Sequence, residues 1–337
     1  MNQCFPRMRI AVLGGGCWGT ALAVHAARLH ADVALWVRND ATAGQLERER
    51  ENARYLPGLR LPDNLRVSAD PATIEGRDLV LIAVPSGAFR ETLRWIAPRL
   101  AHDQVVAWAT KGLETATGAW LHEIAEQELG PERPPALISG PSFAAEVAQE
   151  QPTALSVASS DEGHMDCLVT ALHGRSLRLY RNTDVIGVEL GGALKNVLAV
   201  ATGIADGAGF GANARAALMT RGLAEIQRFG AAVGARPTTL TGLSGLGDMI
   251  LTCTDNQSRN RRLGRMLGEG LDLDTARARV GQSVEGVETA RVAVARAKAL
   301  EVDMPICAEV HAVLYQGRPV HDTVRRLLER DATREED

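Results

Sequence analysis

The sequence predicts an α/β protein of two domains. The first, residues 1–185, is an N-terminal doubly wound domain on a parallel sheet; the second, residues 186–330, is an all-helical domain followed by a disordered tail at 331–337. Three observations predict this. Through the first half, continuous apolar runs of strand length alternate with helical stretches, the pattern of a parallel sheet covered on both faces. A glycine-rich turn, GGGCWG, joins the first run to the first helical stretch. Past about residue 185 strand signals nearly vanish and helical periodicity takes over.

The first element is a strand at Met8–Gly14, followed by the turn and a helix with apolar spacing over Thr20–His30. Gly14, Gly16 and Gly19 occupy the three positions of a GxGxxG fingerprint. They serve a tight turn, room for a pyrophosphate against the backbone, and close packing of helix on strand. Asp32–Val37 is the second strand, and Asp78–Pro85 and Gln104–Thr110 are further buried strands. Helices fall at Phe89–Leu100 and Trp120–Leu129, and short strands at Ala136–Ser139, Ala154–Ser159 and Ser176–Tyr180. In the second half Ala212–Val233, Gly286–Leu300, Pro305–Gln316 and Asp322–Leu328 repeat apolar residues at helical spacing. Pro305 suits a helix start and Gly317 a helix stop.

Composition narrows the function. With 337 residues, 45% hydrophobic and 23% charged, the chain has the size and content of two globular domains. A formal net charge of -4 leaves no electrostatic footprint for nucleic acid or an anionic membrane, so a small molecule is the expected partner. The five cysteines (Cys4, Cys17, Cys167, Cys253, Cys307) are scattered without CxxC pairs, which fits a reducing cytoplasm better than a disulfide framework. The apolar run after the N-terminus is too short for a signal or a span, so no membrane anchor is expected. The histidines show no metal-binding spacing and no nucleophile elbow is present, so no metal is expected and lysine is the best available acid or base.

One lysine stands out. Leu190–Ile204 is apolar or small on every side apart from Lys195 and Asn196, so its helix belongs in a core or interface and Lys195 is a buried cation. Burial disfavours the charged form, as a general acid or base at neutral pH requires; the alternative is a lysine whose stem lines the core while its amine reaches water. In a doubly wound sheet the ligand lies at the carboxyl ends of the strands. There Pro85-Ser86, Thr110-Lys111-Gly112 and Gly140-Pro141-Ser142-Phe143-Ala144 are the segments to consider. Each also has a plain reading: a loop start, a solvated lysine, and Ser142 as N-cap of a helix over Phe143–Gln149 with Glu146 as a weaker box partner. In the helical half, Gly242–Asp248 forms a glycine-rich turn whose Asp248 orients Lys195, accepts a substrate hydroxyl, or simply caps a helix. Ser258-Arg259-Asn260-Arg261-Arg262 puts an N-cap before first-turn arginines, which the helix dipole disfavours unless an anion compensates; a solvated basic face is the alternative.

Together, VLGGGCWGTALA, WATKGLE, ISGPSFAAEV, ELGGALKNVLAVATGIADGAGFGANARAAL, GLGDMILTCTDNQSRNRRLG and VEGVETA, in that order, resemble the bacterial NAD(P)-dependent glycerol-3-phosphate dehydrogenase family from about Ile10 to about Leu328. The resemblance implies a Rossmann domain with a helical domain of the 6-phosphogluconate dehydrogenase type, usually a homodimer. It also implies reversible reduction of dihydroxyacetone phosphate to sn-glycerol 3-phosphate for phospholipid synthesis. By the resemblance Lys195 is the proton donor and acceptor, and Lys111 a second active-site lysine touching substrate and cofactor. Gly140, Ser142, Asp248, Ser258, Arg259 and Asn260 contact substrate; Cys17, Trp18, Arg38, Ala144, Arg259 and Glu285 contact cofactor. Cys17 and Ser142 depart from the serine and threonine common in the family, and a thiol is a poorer donor than a hydroxyl. Two rivals remain: a sister dehydrogenase acting on another hydroxy acid, and an NADP-binding sensor without chemistry. Arg38, past the second strand where an NAD-selective site carries an acid, predicts NADP as preferred cofactor with NAD usable. A strand ending two residues later would put Asp40 there instead.

Overall fold

The structure is a computed structural model that describes residues 8–328. The tail expected at 331–337, the last two residues of the expected helical domain and Cys4 lie outside the described residues. The chain divides into two compact units. One takes the chain to Glu114 and then Ala119–Val185; the other takes Thr115–Gly118 and the chain from Ile186 onward.

The first unit runs β1 (Arg9–Leu13), α1 (Cys17–Leu29), β2 (Asp32–Trp36), α2 (Asp40–Glu49), β3 (Leu65–Ser68), β4 (Leu79–Ile82), α3 (Phe89–Ile96), β5 (Val105–Trp108), α4 (Leu121–Leu129), β6 (Ala136–Ser139), α5 (Ala144–Ala148), β7 (Thr153–Ser159), α6 (Glu162–Leu172) and β8 (Leu177–Asn182). The strands form one sheet in the order β3-β2-β1-β4-β5-β6-β7-β8. Its central strands are apolar throughout because both faces are covered; all four residues of β4 are buried.

β3, α2 and α6 are absent from the sequence reading. In β3 only Leu65 and Val67 point inward around exposed Arg66, too short an alternation to register. In α2 only Ala43 and Leu46 are buried, so the helix has almost no apolar stripe; Asn39 starts it by accepting the Thr42 amide at 3.1 Å. In α6, Met165, Leu168, Ala171 and Leu172 are buried at helical spacing behind the Asp161 cap, a signal that periodicity does carry. The sheet also departs from the expected parallel pattern, since β7 runs antiparallel to β6. A helix of five residues spans only about 7.5 Å at 1.5 Å per residue, so α5 cannot carry the chain back beside the sheet for a parallel return. Ser142 is not the cap of α5: Phe143 is, without a side-chain bond, and the Ser142 hydroxyl donates to Gly140 O at 3.4 Å. α3 ends at Ile96 and continues as a 3-10 turn over Ala97–Arg99, Pro98 having no N–H for a further helical bond.

The second unit is helical: α7 (Val185–Gly207), α8 (Ala212–Val233), α9 (Pro237–Leu240), a π-helical segment (Leu243–Gly247), α10 (Asp248–Thr254), α11 (Arg259–Gly268), α12 (Leu273–Val280), α13 (Glu285–Ala299), α14 (Pro305–Gln316) and α15 (Val320–Leu328). The glycine-rich stretch read as a turn is therefore a widened helical turn leading straight into α10. α7 is long and apolar enough to cross a membrane, but 94% of its most apolar stretch is buried within the protein, as in a core helix. Glycines let other backbones reach it. A Cβ on Gly203 would lie 2.2 Å from Arg261 O, and one on Gly264 of α11 would lie 2.2 Å from Val200 O. Such approaches exclude every larger side chain.

On α8, Glu225 is 1% exposed and caps α14, its carboxylate accepting the Ile306 amide at 2.6 Å and the Cys307 amide at 3.2 Å. Burial lifts its pKa from 4.5 to about 7, against the pull of those two amides. The folded protein thus holds this proton more tightly than the unfolded chain. The stability this confers is fully present below about pH 4.5 and is lost as pH rises through about 7. Urea unfolding at several pH values across this window checks it. Wild type should lose stability relative to Glu225→Gln as pH rises, by a few kcal/mol at most; parallel curves would contradict this account.

Candidate active site

The first unit gathers its candidate residues at one edge of the sheet, because β1, β2, β4, β5 and β6 are parallel and end there. Strand order reverses between β1 and β4, the place where such sheets bind nucleotides. Gly14 lies at that point with φ +121°, and a Cβ on it would sit 2.7 Å from Ala83 O. Gly19 packs α1 onto the turn, where a Cβ would meet Gly14 O at 2.0 Å. Gly16 has nothing within 4 Å of the position its Cβ would take, so the space beside the first turn of α1 is open. That turn carries no acid and no side-chain cap, and the buried Trp18 indole N–H has no partner among the described residues. Open space, uncapped amides and a positive helix end fit a dinucleotide pyrophosphate.

The sequence reading missed what braces this turn. Asn52, 4% exposed, donates to Gly15 O at 3.0 Å and to Thr20 Oγ1 at 2.8 Å. The Cys17 thiol donates to Tyr55 O at 3.2 Å, so its side chain bonds the protein's own backbone. Arg38 is exposed two residues beyond β2, and the next residue, Asn39, already caps α2. Because the strand ends at Trp36, Asp40 lies in the first turn of α2 rather than at the strand end. After β5, Thr110 Oγ1 donates to Val84 O at 2.8 Å and Lys111 Nζ to Gly140 O at 3.2 Å, joining the loops that follow β4, β5 and β6. Lys111, Gly140 and Ser142 are thus brought together, and Ala144 opens α5 just beyond.

In the second unit Lys195 is 7% exposed and ion-paired with Asp248, which is fully buried. Its ammonium also donates to Thr252 Oγ1 at 2.8 Å, and that hydroxyl donates to Asp248 O at 2.6 Å. Asp248 is thus paired with Lys195 and also stands at the start of α10. Burial and the adjoining carboxylate act on the ammonium in opposite directions, the first against the charge and the second for it. The next residue is as constrained: Asn260 Nδ2 donates to Asn196 Oδ1 at 2.9 Å, the Gly286 amide donates to Asn260 Oδ1 at 2.8 Å, and Asn196 Nδ2 donates to Glu285 at 3.4 Å. Asn260 and Glu285 therefore meet the Lys195 helix through Asn196, which the sequence reading left without a role.

Ser258 caps α11 as expected, accepting the Arg261 amide at 3.2 Å. The arginines behind it divide. Arg261 is buried and its guanidinium is bonded to the protein, whereas Arg259, half-buried in the first turn, has no hydrogen-bond or ion-pair partner among the described residues. A cation at the positive end of a helix, without an ion-pair partner among the described residues, suits an incoming anion.

Comparison with known proteins identifies the family. The profile of the NAD-dependent glycerol-3-phosphate dehydrogenase N-terminus matches residues 9–165, and that of the C-terminus residues 184–325. The glycerol-3-phosphate dehydrogenase [NAD(P)+] of Thioalkalivibrio sulfidiphilus is 54% identical over 323 residues, 96% of this chain and 97% of the relative. The enzyme of that name from Citrobacter koseri is 49% identical over 332 residues, 98% of this chain and 97% of its own. A crystal structure of glycerol-3-phosphate dehydrogenase from Coxiella burnetii superposes with a TM-score of 0.92 at 46% identity, covering 96% of this chain and 99% of that one. This chain belongs to the NAD-dependent glycerol-3-phosphate dehydrogenase family, and it is an oxidoreductase that uses NAD or NADP.

Proposed function

We propose that the chain reduces dihydroxyacetone phosphate to sn-glycerol 3-phosphate with Lys195 as the general acid, and that the reverse reaction uses the same amine as base. The observation that carries this reading is the buried Lys195, Asp248 and Thr252 cluster, in a unit that also offers, at a capped helix start, an arginine without a partner among the described residues. The reduced nicotinamide, when bound, supplies the hydride for the ketone carbon. Lys195 Nζ gives its proton to the ketone oxygen as that oxygen becomes an alkoxide, and the neutral amine stays hydrogen-bonded to Asp248. Asp248 and Thr252 hold the amine in one direction throughout. Ser258, Arg259 and Asn260 take the substrate phosphate, and the family resemblance adds Lys111, Gly140 and Ser142 as substrate contacts. Gly14, Gly16, Cys17, Trp18, Gly19, Arg38, Lys111, Ala144, Arg259 and Glu285 serve the cofactor, Cys17 through its backbone because its thiol is spent on Tyr55.

This reading includes NADPH as preferred cofactor, a cytoplasmic homodimer, and a product that feeds glycerophospholipid synthesis. Free thiols at Cys17, Cys167, Cys253 and Cys307 suit a reducing compartment. Arg38 supports the cofactor preference, since an exposed guanidinium at the end of β2 can stack on adenine and fork onto a 2′-phosphate.

Two measurements follow. Lys195→Ala should lower kcat by roughly two to four powers of ten while cofactor binding, read by fluorescence, persists; near-normal turnover would remove Lys195 from the chemistry. Arg38→Ala should lower the NADPH to NADH ratio of kcat/KM by about tenfold, the worth of one charge-assisted contact. An unchanged ratio would mean that Arg38 does not read the 2′-phosphate.

A further inference from the structure

Helices α7 and α11 run side by side at one fixed offset. Asn260 meets Asn196 at 2.9 Å, a Cβ on Gly264 would lie 2.2 Å from Val200 O, and one on Gly268 would lie 2.2 Å from Ile204 O. Each pair lies one helical turn beyond the last. The opposing glycines fit the same register: a Cβ on Gly203 would meet Arg261 O at 2.2 Å, and one on Gly207 would meet Arg265 O at 2.1 Å. A slip of one turn would move the start of α11 by about 5.4 Å relative to Lys195.

Arg261 locks this register at the end that matters. It is 7% exposed, and three of its guanidinium nitrogens are engaged. Nε donates to Cys253 O at the end of α10 at 3.1 Å, Nη1 donates to Asn256 Oδ1 in the turn before α11, and Nη2 pairs with Asp206 at the end of α7. One planar group thus ties α7, α10 and the intervening turn around Ser258, Arg259 and Asn260. Asp206 also accepts from Arg215 Nη1 of α8 at 3.0 Å and 3.1 Å. All three guanidinium nitrogens of Arg261 are bonded to the protein, so it serves the site through its neighbours.

We propose that Arg261, clasped by Asp206, is a positioning residue that sets the span between Lys195 and the phosphate anchor. The enzyme thereby selects a short ketose phosphate whose carbonyl reaches Lys195 while its phosphate rests on Arg259 and Asn260. The inference rests on the preceding reading of Arg259 and Asn260 as that anchor. Loosening the clasp weakens phosphate recognition and leaves the proton transfer at Lys195 intact.

The test is steady-state kinetics on the full-length enzyme with dihydroxyacetone phosphate, with inorganic sulfate as a competing anion. Arg261→Lys and Asp206→Asn should each raise KM for dihydroxyacetone phosphate and the sulfate inhibition constant together, by about tenfold or more, with kcat within about threefold of wild type. Arg215→Ala, which leaves the Arg261–Asp206 pair in place, should change neither. A purely structural role would lower the melting temperature without this split between KM and kcat. Should Arg261→Lys fail to fold, Asp206→Asn decides. Folded Arg261→Lys or Asp206→Asn enzymes with wild-type KM and sulfate inhibition overturn the inference. Arg259→Ala separates the two levels. If it leaves sulfate competition intact, the anchor reading falls and this inference with it; if it abolishes competition while the clasp variants do not, this inference alone falls.

Discussion

A lysine buried in an apolar helix has to be given a partner, and the second unit is built around that requirement. An unpaired ammonium in a core costs several kcal/mol after relaxation. Here Asp248, itself fully buried, meets Lys195, and Thr252 bonds both residues. Asp248 arrives by way of the π-helical segment, in which Gly247 N bonds back to Gly242 O at 3.0 Å, and single widened turns of this kind re-aim the residues that follow. The segment lies directly on α7, since a Cβ on Gly191 would be 2.7 Å from Ser244 O, one turn before Lys195. Gly191 thus lets the π segment's backbone come close enough for the short Asp248 side chain to reach the lysine.

The same logic extends to Asn196. A buried amide needs several partners, and Asn260 and Glu285 supply them, which ties α11 and α13 to the Lys195 helix. The candidate phosphate anchor at the start of α11 is therefore fixed by the same polar residues that make α7 tolerable in a core. In the first unit the constraint is simpler. Parallel strands end together, and the glycine turn leaves backbone amides uncapped at that edge.

Much of this could be read from the sequence, for physical reasons that differ by residue. Lys195 was visible because a charge in an otherwise apolar helix violates the ordinary pattern, and Gly14, Gly16 and Gly19 because strand, turn and helix leave a fixed spacing. The start of α11 was visible because Ser258 is a cap and arginines oppose the dipole, but local patterning did not separate Arg259 from Arg261; only the family resemblance singled out Arg259. That distinction lies in Asp206, Cys253 and Asn256, which only folding brings to one guanidinium. Asn52 was invisible for the same reason, since its partners Gly15 and Thr20 lie more than thirty residues away in sequence. Local patterning misled at β7, where the length of α5 decides strand direction, and at Ser142, whose cap-like position is taken by Phe143.

The central claim is that Lys195 and Asp248 act as one catalytic unit, the carboxylate working only through the amine. A double-mutant cycle on kcat in the direction of ketone reduction tests it most directly, comparing Lys195→Ala, Asp248→Asn and the double variant with wild type. Residues that act as a unit are strongly non-additive. The account predicts that Asp248→Asn costs activity in wild type and almost nothing further once Lys195 is Ala. Losses that multiply in the double variant would mean that Asp248 works on the substrate independently, and would contradict the account.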